Sequence, residues 1–152
     1  MEEIPVTLAR PRLPQEVGTP GPHAQHADHV AVSFAPHPER AGQMREVVGA
    51  HLRLWGCAEL VAVAQLVTSE LVTNAILHGA GGSVHFRLAR TDAEPCIEVD
   101  DGSPGRPRVR NPGPDDESGR GMLLVDALAH RWGTSEDGTN TWCVLLLPMV
   151  DR

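Results

Sequence analysis

Three short groups of residues could handle a charged ligand. The first is Glu70-Leu71-Val72-Thr73-Asn74. Residues four apart share one face of a helix, and helical spacing puts Glu70 and Asn74 on the border of an apolar stripe that contains Val63 and Val67. A carboxylate and an amide at the edge of a buried face need partners, because unpaired burial is costly. Either Glu70 pairs with an arginine and Asn74 bonds to backbone, or both point into a cleft between helix and sheet and handle a metal-bound polyanion. The second group is Val99-Asp100-Asp101-Gly102-Ser103-Pro104. Strand alternation puts Asp101 on the inward side with Ile97 and Val99, and Asp100 on the other side with Glu98. An inward carboxylate at a strand end can accept from an exocyclic amine such as that of adenine; the alternative is an Asx turn before the glycine. The third group is Ser118-Gly119-Arg120-Gly121-Met122. A glycine-rich helix start offers free N–H groups and the positive end of the helix dipole, which suits phosphate. The plainer reading makes Ser118 an N-cap before two glycines.

These groups need elements to hold them. Val30, Val32 and Phe34 alternate with Ala31 and Ser33 and predict a strand, ended by Pro36 and Pro38. Met44, Val47, Val48, His51, Leu52 and Trp55 follow helical spacing up to Gly56. Leu60, Val63, Ala64, Val67, Leu71 and Ala75 predict a second helix, stopped by Gly79-Ala80-Gly81-Gly82. Val84, Phe86 and Leu88 predict a strand, and Ile97 and Val99 its partner across a turn at Thr91–Pro95. Residues 102–118 hold glycines 102, 105 and 113 and prolines 104, 107, 112 and 114, the composition of a functional loop. A third helix follows with Met122, Leu123, Val125, Leu128 and Ala129 apolar, then a short strand over Trp132–Ser135, a turn at Asp137-Gly138, and a buried strand over Trp142–Leu147. No internal repeat is visible. The order predicts an α+β fold: a two-layer α/β sandwich with helices on one face of a mixed, mainly antiparallel sheet. Five of the 13 prolines lie in residues 1–28, which have no hydrophobic period and read as a disordered tail before a domain over 29–150. His23, His26 and His29 at its end are either solvated or a weak metal site.

Composition narrows the function. All 13 basic residues are Arg, and no Lys is present. That excludes a P-loop, a eukaryotic-type kinase with its strand Lys, and Schiff-base or pyridoxal phosphate chemistry on a lysine of this chain. The net charge of −7 argues against direct binding of nucleic acid. Cys57, Cys96 and Cys143 are far apart with no CxxC, which reads as three buried structural thiols in a reducing cytoplasm. Met1-Glu2-Glu3 opens no signal peptide, and the longest apolar run, Trp142 to Leu147, falls short of the ~20 residues that span a bilayer. The expectation is a cytoplasmic protein with no membrane segment.

The order and spacing of the three groups resemble the GHKL ATPases (gyrase B, the Hsp-type chaperones, MutL and histidine kinases) with their Bergerat ATP-binding fold. Glu70–Asn74 resembles the N-box, Asp101-Gly102-Ser103-Pro104 the first glycine box, and Gly119-Arg120-Gly121 the second. The stretches Ser69–Ala75 with His78-Gly79, Gly119–Leu128, and Arg131-Trp132-Gly133 are similar to the short anti-sigma-factor serine kinases of bacterial partner switching and their actinobacterial relatives. The resemblance covers about residues 29–148. It implies ATP and Mg²⁺ as cofactors, with Asn74 ligating the metal, Glu70 as general base and Asp101 on the adenine amine. It also implies phosphate contacts from the amides of Gly119, Arg120, Gly121, Met122 and Leu123, with His78 and Ser103 in the nucleotide-binding set. The family's last box usually sets a Thr beside the adenine; counted from Trp142, that position is Asn140, flanked by Thr139 and Thr141, and Thr141 joins the set. Ser103 stands where many members have Gly. The implied function is a serine/threonine protein kinase that phosphorylates a small protein antagonist. The alternative is a non-catalytic, ATP-dependent module that sequesters a sigma factor or its antagonist. The implied partners are ATP or ADP, a sigma factor or antagonist, and a second copy of the chain. A histidine kinase is disfavoured, since the chain has no room for a dimerising phosphoacceptor helix pair, and gyrase-like unwinding needs further domains.

Overall fold

The computed structural model describes residues 28–91, 94–102 and 117–146. Five strands and three helices follow in the order β1 (His29–Phe34), α1 (Arg40–Leu54), α2 (Val61–His78), β2 (Val84–Thr91), β3 (Glu94–Asp100), α3 (Glu117–Leu128), β4 (Arg131–Thr134) and β5 (Asn140–Val144). A short 3₁₀ turn, Ala58–Leu60, leads into α2. The sheet order is β1-β2-β3-β5-β4, and all four described pairings are antiparallel. The tail expected over 1–28, with His23 and His26, and the loop expected over 102–118 fall almost entirely outside the described residues.

Alternation along each strand sends one set of side chains towards the helices. Phe34, Val84, Phe86, Leu88, Ile97, Val99, Cys143 and Leu145 form one core with the buried residues of the three helices. On α1 these are Ala41, Met44, Val48, Gly49 and Leu52. On α2 they are Val61, Ala64, Val67, Thr68, Leu71, Val72 and Ala75, a wider face than the spacing alone predicts. The reason is position: α2 is the middle helix, packed against α1 on one side and α3 on the other as well as on the sheet. The stretch Ala58–His78 is long and apolar enough to cross a membrane by length and composition, but the fold uses it as this core helix.

Two expectations about the sheet need correction. Glu98 does lie on the face away from the helices, but that face is not open to solvent around it: Glu98 is 0% exposed, and Cys96, Trp142 and Val144 form a second small buried cluster beside it. Glu98 pairs with Arg87 across the β2–β3 ladder at 3.5 Å and accepts from Asn140 Nδ2 at 3.3 Å. Burial of a carboxylate is tolerable there because a cation and an amide meet it. The glycine after α2 also has a different cause from the one expected. Gly79 is not left-handed (φ −74°, ψ 178°); a Cβ there would run into the Ala75 carbonyl oxygen and come within 3.1 Å of Asp101 Cβ. Cys57, Cys96 and Cys143 are all buried and none forms a disulfide, and burial pushes the Cys143 thiol up to about 12.

Arg87→Met should destabilise the domain by about 3–5 kcal/mol, since it leaves Glu98 buried without its cation. Urea unfolding of parent and variant measures this, and a loss under 1 kcal/mol would show that the pair is not what makes Glu98 tolerable.

Candidate functional site

The second half of α2 supplies the first two groups of the site. Glu70 and Asn74 sit one turn apart, and both are half-buried. Neither side chain makes a hydrogen bond or ion pair among the described residues. The arginine pairing and the backbone bond that could have explained them structurally are therefore not made there. Burial raises the Glu70 carboxyl above the ordinary glutamate range. A base poised nearer neutrality is a better acceptor of a hydroxyl proton. The neighbouring arginine is engaged elsewhere: Arg45 Nη1 donates to Ser69 Oγ at 2.8 Å, Ser69 Oγ donates to the Gln65 carbonyl at 3.0 Å, and Gln65 Nε2 donates to the Arg45 carbonyl at 3.1 Å. That ring of bonds closes α1 onto α2 one residue before Glu70.

Asp101 stands just past the end of β3 and is half-buried. Its backbone is held from two directions. Its N–H donates to the Thr139 carbonyl at 3.0 Å, and its carbonyl accepts from Ala80 N–H at 3.4 Å. The end of α2, the end of β3 and the β4–β5 hairpin therefore meet at one residue. The Asx turn considered for this segment is made by Asp100, whose Oδ1 accepts from Gly102 N–H at 3.0 Å, with Gly102 at φ +72°. Asp101 is not needed for that turn. The hairpin is itself tied by Asp137, which accepts from Ser135 Oγ at 2.6 Å, Thr139 Oγ1 at 2.8 Å and Thr139 N–H at 3.1 Å. Those donors, Ser135 first, hold the Asp137 carboxyl below its ordinary range.

The register of β5 separates the candidates beside the adenine position. Asn140 pairs with Asp100 and turns its side chain to Glu98 on the far face. Thr141 pairs with Val99, so it shares the helix-side face with Val99 and Cys143. Thr141 is half-buried there.

The third group lies at the head of α3. The helix begins at Glu117, so Ser118 lies inside it rather than capping it, and Gly119-Arg120-Gly121 fall in its first turns. The first four N–H groups of a helix lack an internal acceptor. Helix geometry leaves the amides around residues 117–120 without an intrahelical acceptor, while Met122 and Leu123 sit a turn further in. Met122 is core (2% exposed), whereas Leu123 is 40% exposed. α3 packs directly against α2, the helix that carries Glu70 and Asn74. His78 is the last residue of α2 and is exposed. Ser103 lies outside the described residues.

Three contributors to the site were not read from the sequence. The Thr139 carbonyl gives no residue-type signal. Gly79 gave one, but as a helix stop rather than a close approach. The bond from Trp132 Nε1 to Asp126 Oδ1, 2.9 Å, joins an edge strand to α3 and has no local pattern.

The arrangement suits a nucleotide. A carboxylate at the base end, unpartnered amide and carboxylate groups on α2, and free helix amides beyond them are what adenine, a phosphate-bound divalent cation and phosphate oxygens require. Among the described residues, no cluster of three or more His, Cys, Asp or Glu could hold a metal alone. No curated protein matches the chain. The family model described as the histidine kinase-like ATPase domain matches residues 34–145, from the end of β1 to just past β5. With the antiparallel sheet, the helix layer and the match over most of the chain in agreement, this protein belongs to the histidine kinase-like ATPase family.

Proposed function

We propose that this ATP-binding domain is a cytoplasmic serine/threonine protein kinase of the anti-sigma-factor type. In this reading it acts with Mg-ATP on a small protein antagonist in a partner-switching pathway. The observation that carries the reading is the pair Glu70 and Asn74: half-buried, one turn apart, and without partners among the described residues. Neither side chain is used up by a bond within the described residues, so both are open to a ligand. Bound Mg-ATP would supply the phosphoryl group. Glu70 would take the proton from the substrate hydroxyl as that oxygen bonds to the γ-phosphorus and the bond to the bridging oxygen breaks, releasing ADP. Asn74 would give its amide oxygen to the metal, and Asp101 and Thr141 would face the base. Catalysis of this kind is mostly positioning and charge neutralisation. The protein partners in this reading are a sigma factor, its antagonist and a second copy of the chain, since the kinases it resembles generally dimerise.

Mixing the protein with labelled ATP, Mg²⁺ and a cell extract should yield one small phosphoserine or phosphothreonine protein; ATP binding with no transfer would instead favour the sequestering module. Glu70→Gln should keep ATP affinity and lower transfer by roughly 10²–10⁴-fold. The sign of the pH dependence follows from the raised carboxyl. The base works ionised, so parent activity should rise as pH rises through a value above the ordinary glutamate range. A raised carboxyl favours the folded state when protonated, and that contribution fades as pH rises through the same value. Glu70→Gln should therefore be no less stable than the parent at neutral pH. Equal turnover by parent and variant across pH would remove Glu70 from the chemistry.

Asn74→Ala should weaken binding of Mg-ATP far more than of ATP in EDTA, because Mg²⁺ leans on few protein ligands. Titration calorimetry with and without metal makes the comparison, and an equal loss in both would assign Asn74 a structural role.

A further inference from the structure

The head of α3 is useful to a nucleotide only if it stands at a fixed place relative to Asn74 on α2. Two contacts fix it. Met122 and Val125 are buried (2% and 0% exposed) and set which side of α3 faces the core. The other contact is at the far end. Trp132, on the helix-side face of edge strand β4, is packed against the core and donates its indole N–H to Asp126 Oδ1 at 2.9 Å. Only Ala129 and His130 separate α3 from β4. Their backbone is bonded on both sides, Ala129 N–H to the Val125 carbonyl at 2.8 Å and His130 N–H to the Val144 carbonyl at 2.9 Å. The tail of α3 is thereby tied to the sheet through backbone and through one side-chain bond.

We propose that Asp126 and Trp132 are positioning residues for the phosphate end of the nucleotide. The inference rests on the proposed ATP site. Asp126 lies seven residues beyond Gly119, about 10 Å along the helix axis. At that distance a small swing of the tail about the Met122–Val125 contact moves the head amides by a comparable amount in the opposite sense. Hydrogen bonds from amides to phosphate weaken steeply with misalignment. The adenine end depends on Asp101, whose backbone is anchored by Ala80 and Thr139, on elements other than α3 and β4. Loss of the Asp126–Trp132 bond therefore acts on phosphate binding and spares base binding.

Trp132→Phe keeps a ring in the core and removes the N–H. Asp126→Ala removes the acceptor, and Asp126→Asn keeps one. Affinities for ATP and for adenosine, measured by calorimetry on the full chain with Mg²⁺, should separate the roles. Trp132→Phe and Asp126→Ala should each weaken ATP by roughly three- to tenfold, the scale of one hydrogen bond, leave adenosine unchanged, and not add when combined. Asp126→Asn should restore parent ATP affinity. Equal losses of ATP and adenosine, or ATP affinity unchanged in both Trp132→Phe and Asp126→Ala, would overturn the inference while leaving the ATP site standing. A parent that binds adenosine and ATP equally, or neither, would overturn the ATP site and this inference with it.

Discussion

The contact between the end of α2 and the end of β3 decides where the site can be. A Cβ on Gly79 would run into the Ala75 carbonyl oxygen and come within 3.1 Å of Asp101 Cβ, so the helix end lies tight against the strand end. Ala80 N–H then reaches the Asp101 carbonyl, and Thr139 takes the Asp101 N–H from the other side. A helix end, a strand end and a hairpin are thus locked through the main chain of one residue. Main-chain bonds have little rotamer freedom to lose, so this junction is stiffer than a side-chain bridge of equal number. The Glu70–Asn74 turn sits on the helix that ends there. Its distance from Asp101 is fixed by helix geometry and not by loops.

α2 carries few charges even on its open side, where Leu66 and Leu77 are exposed. Among its eighteen residues Glu70 is the only acid and no Arg is present. Gln65 and Ser69 bond with Arg45 of α1, and Glu70 and Asn74 stand half-buried one turn apart. An isolated carboxylate in such surroundings titrates high because nothing nearby offsets its burial.

Much of this was legible in the residues. The strands, the helices and the helix-side face followed from period 2 and period 3.6 in the apolar positions. The register puts Ile97 and Val99 on one face and Glu98 on the other, as alternation predicts; Asp101 lies just past the paired stretch. The burial of Glu98 was not legible, because parity tells which face a residue takes and not what meets it there; Arg87 is eleven residues away and Asn140 forty-two. The choice between Asn140 and Thr141 also needed the β3–β5 register, which no local pattern encodes. Gly79 was visible as a glycine, but a stop after a helix and a close backbone approach look the same in one sequence. The family was legible through three motifs in order, each ambiguous alone. Their combination matches a family whose model spans residues 34–145.

The strand order carries a consequence for how this protein comes into being. β5 is made after β4, yet it is inserted between β3 and β4. During synthesis β3 emerges with one edge unpaired, and α3 and β4 follow before the strand that fills the gap exists. Until β5 docks, β3 and β4 each present an open edge, the kind of surface that recruits other chains. The pairing that closes the gap joins Cys96–Asp100 to Asn140–Val144, a long-range closure that slows folding. Thr139, which fastens Asp101, belongs to the same late hairpin. Nascent chains therefore cannot fasten Asp101 before the sheet is complete, and any ligand that needs this junction selects only molecules that have finished folding.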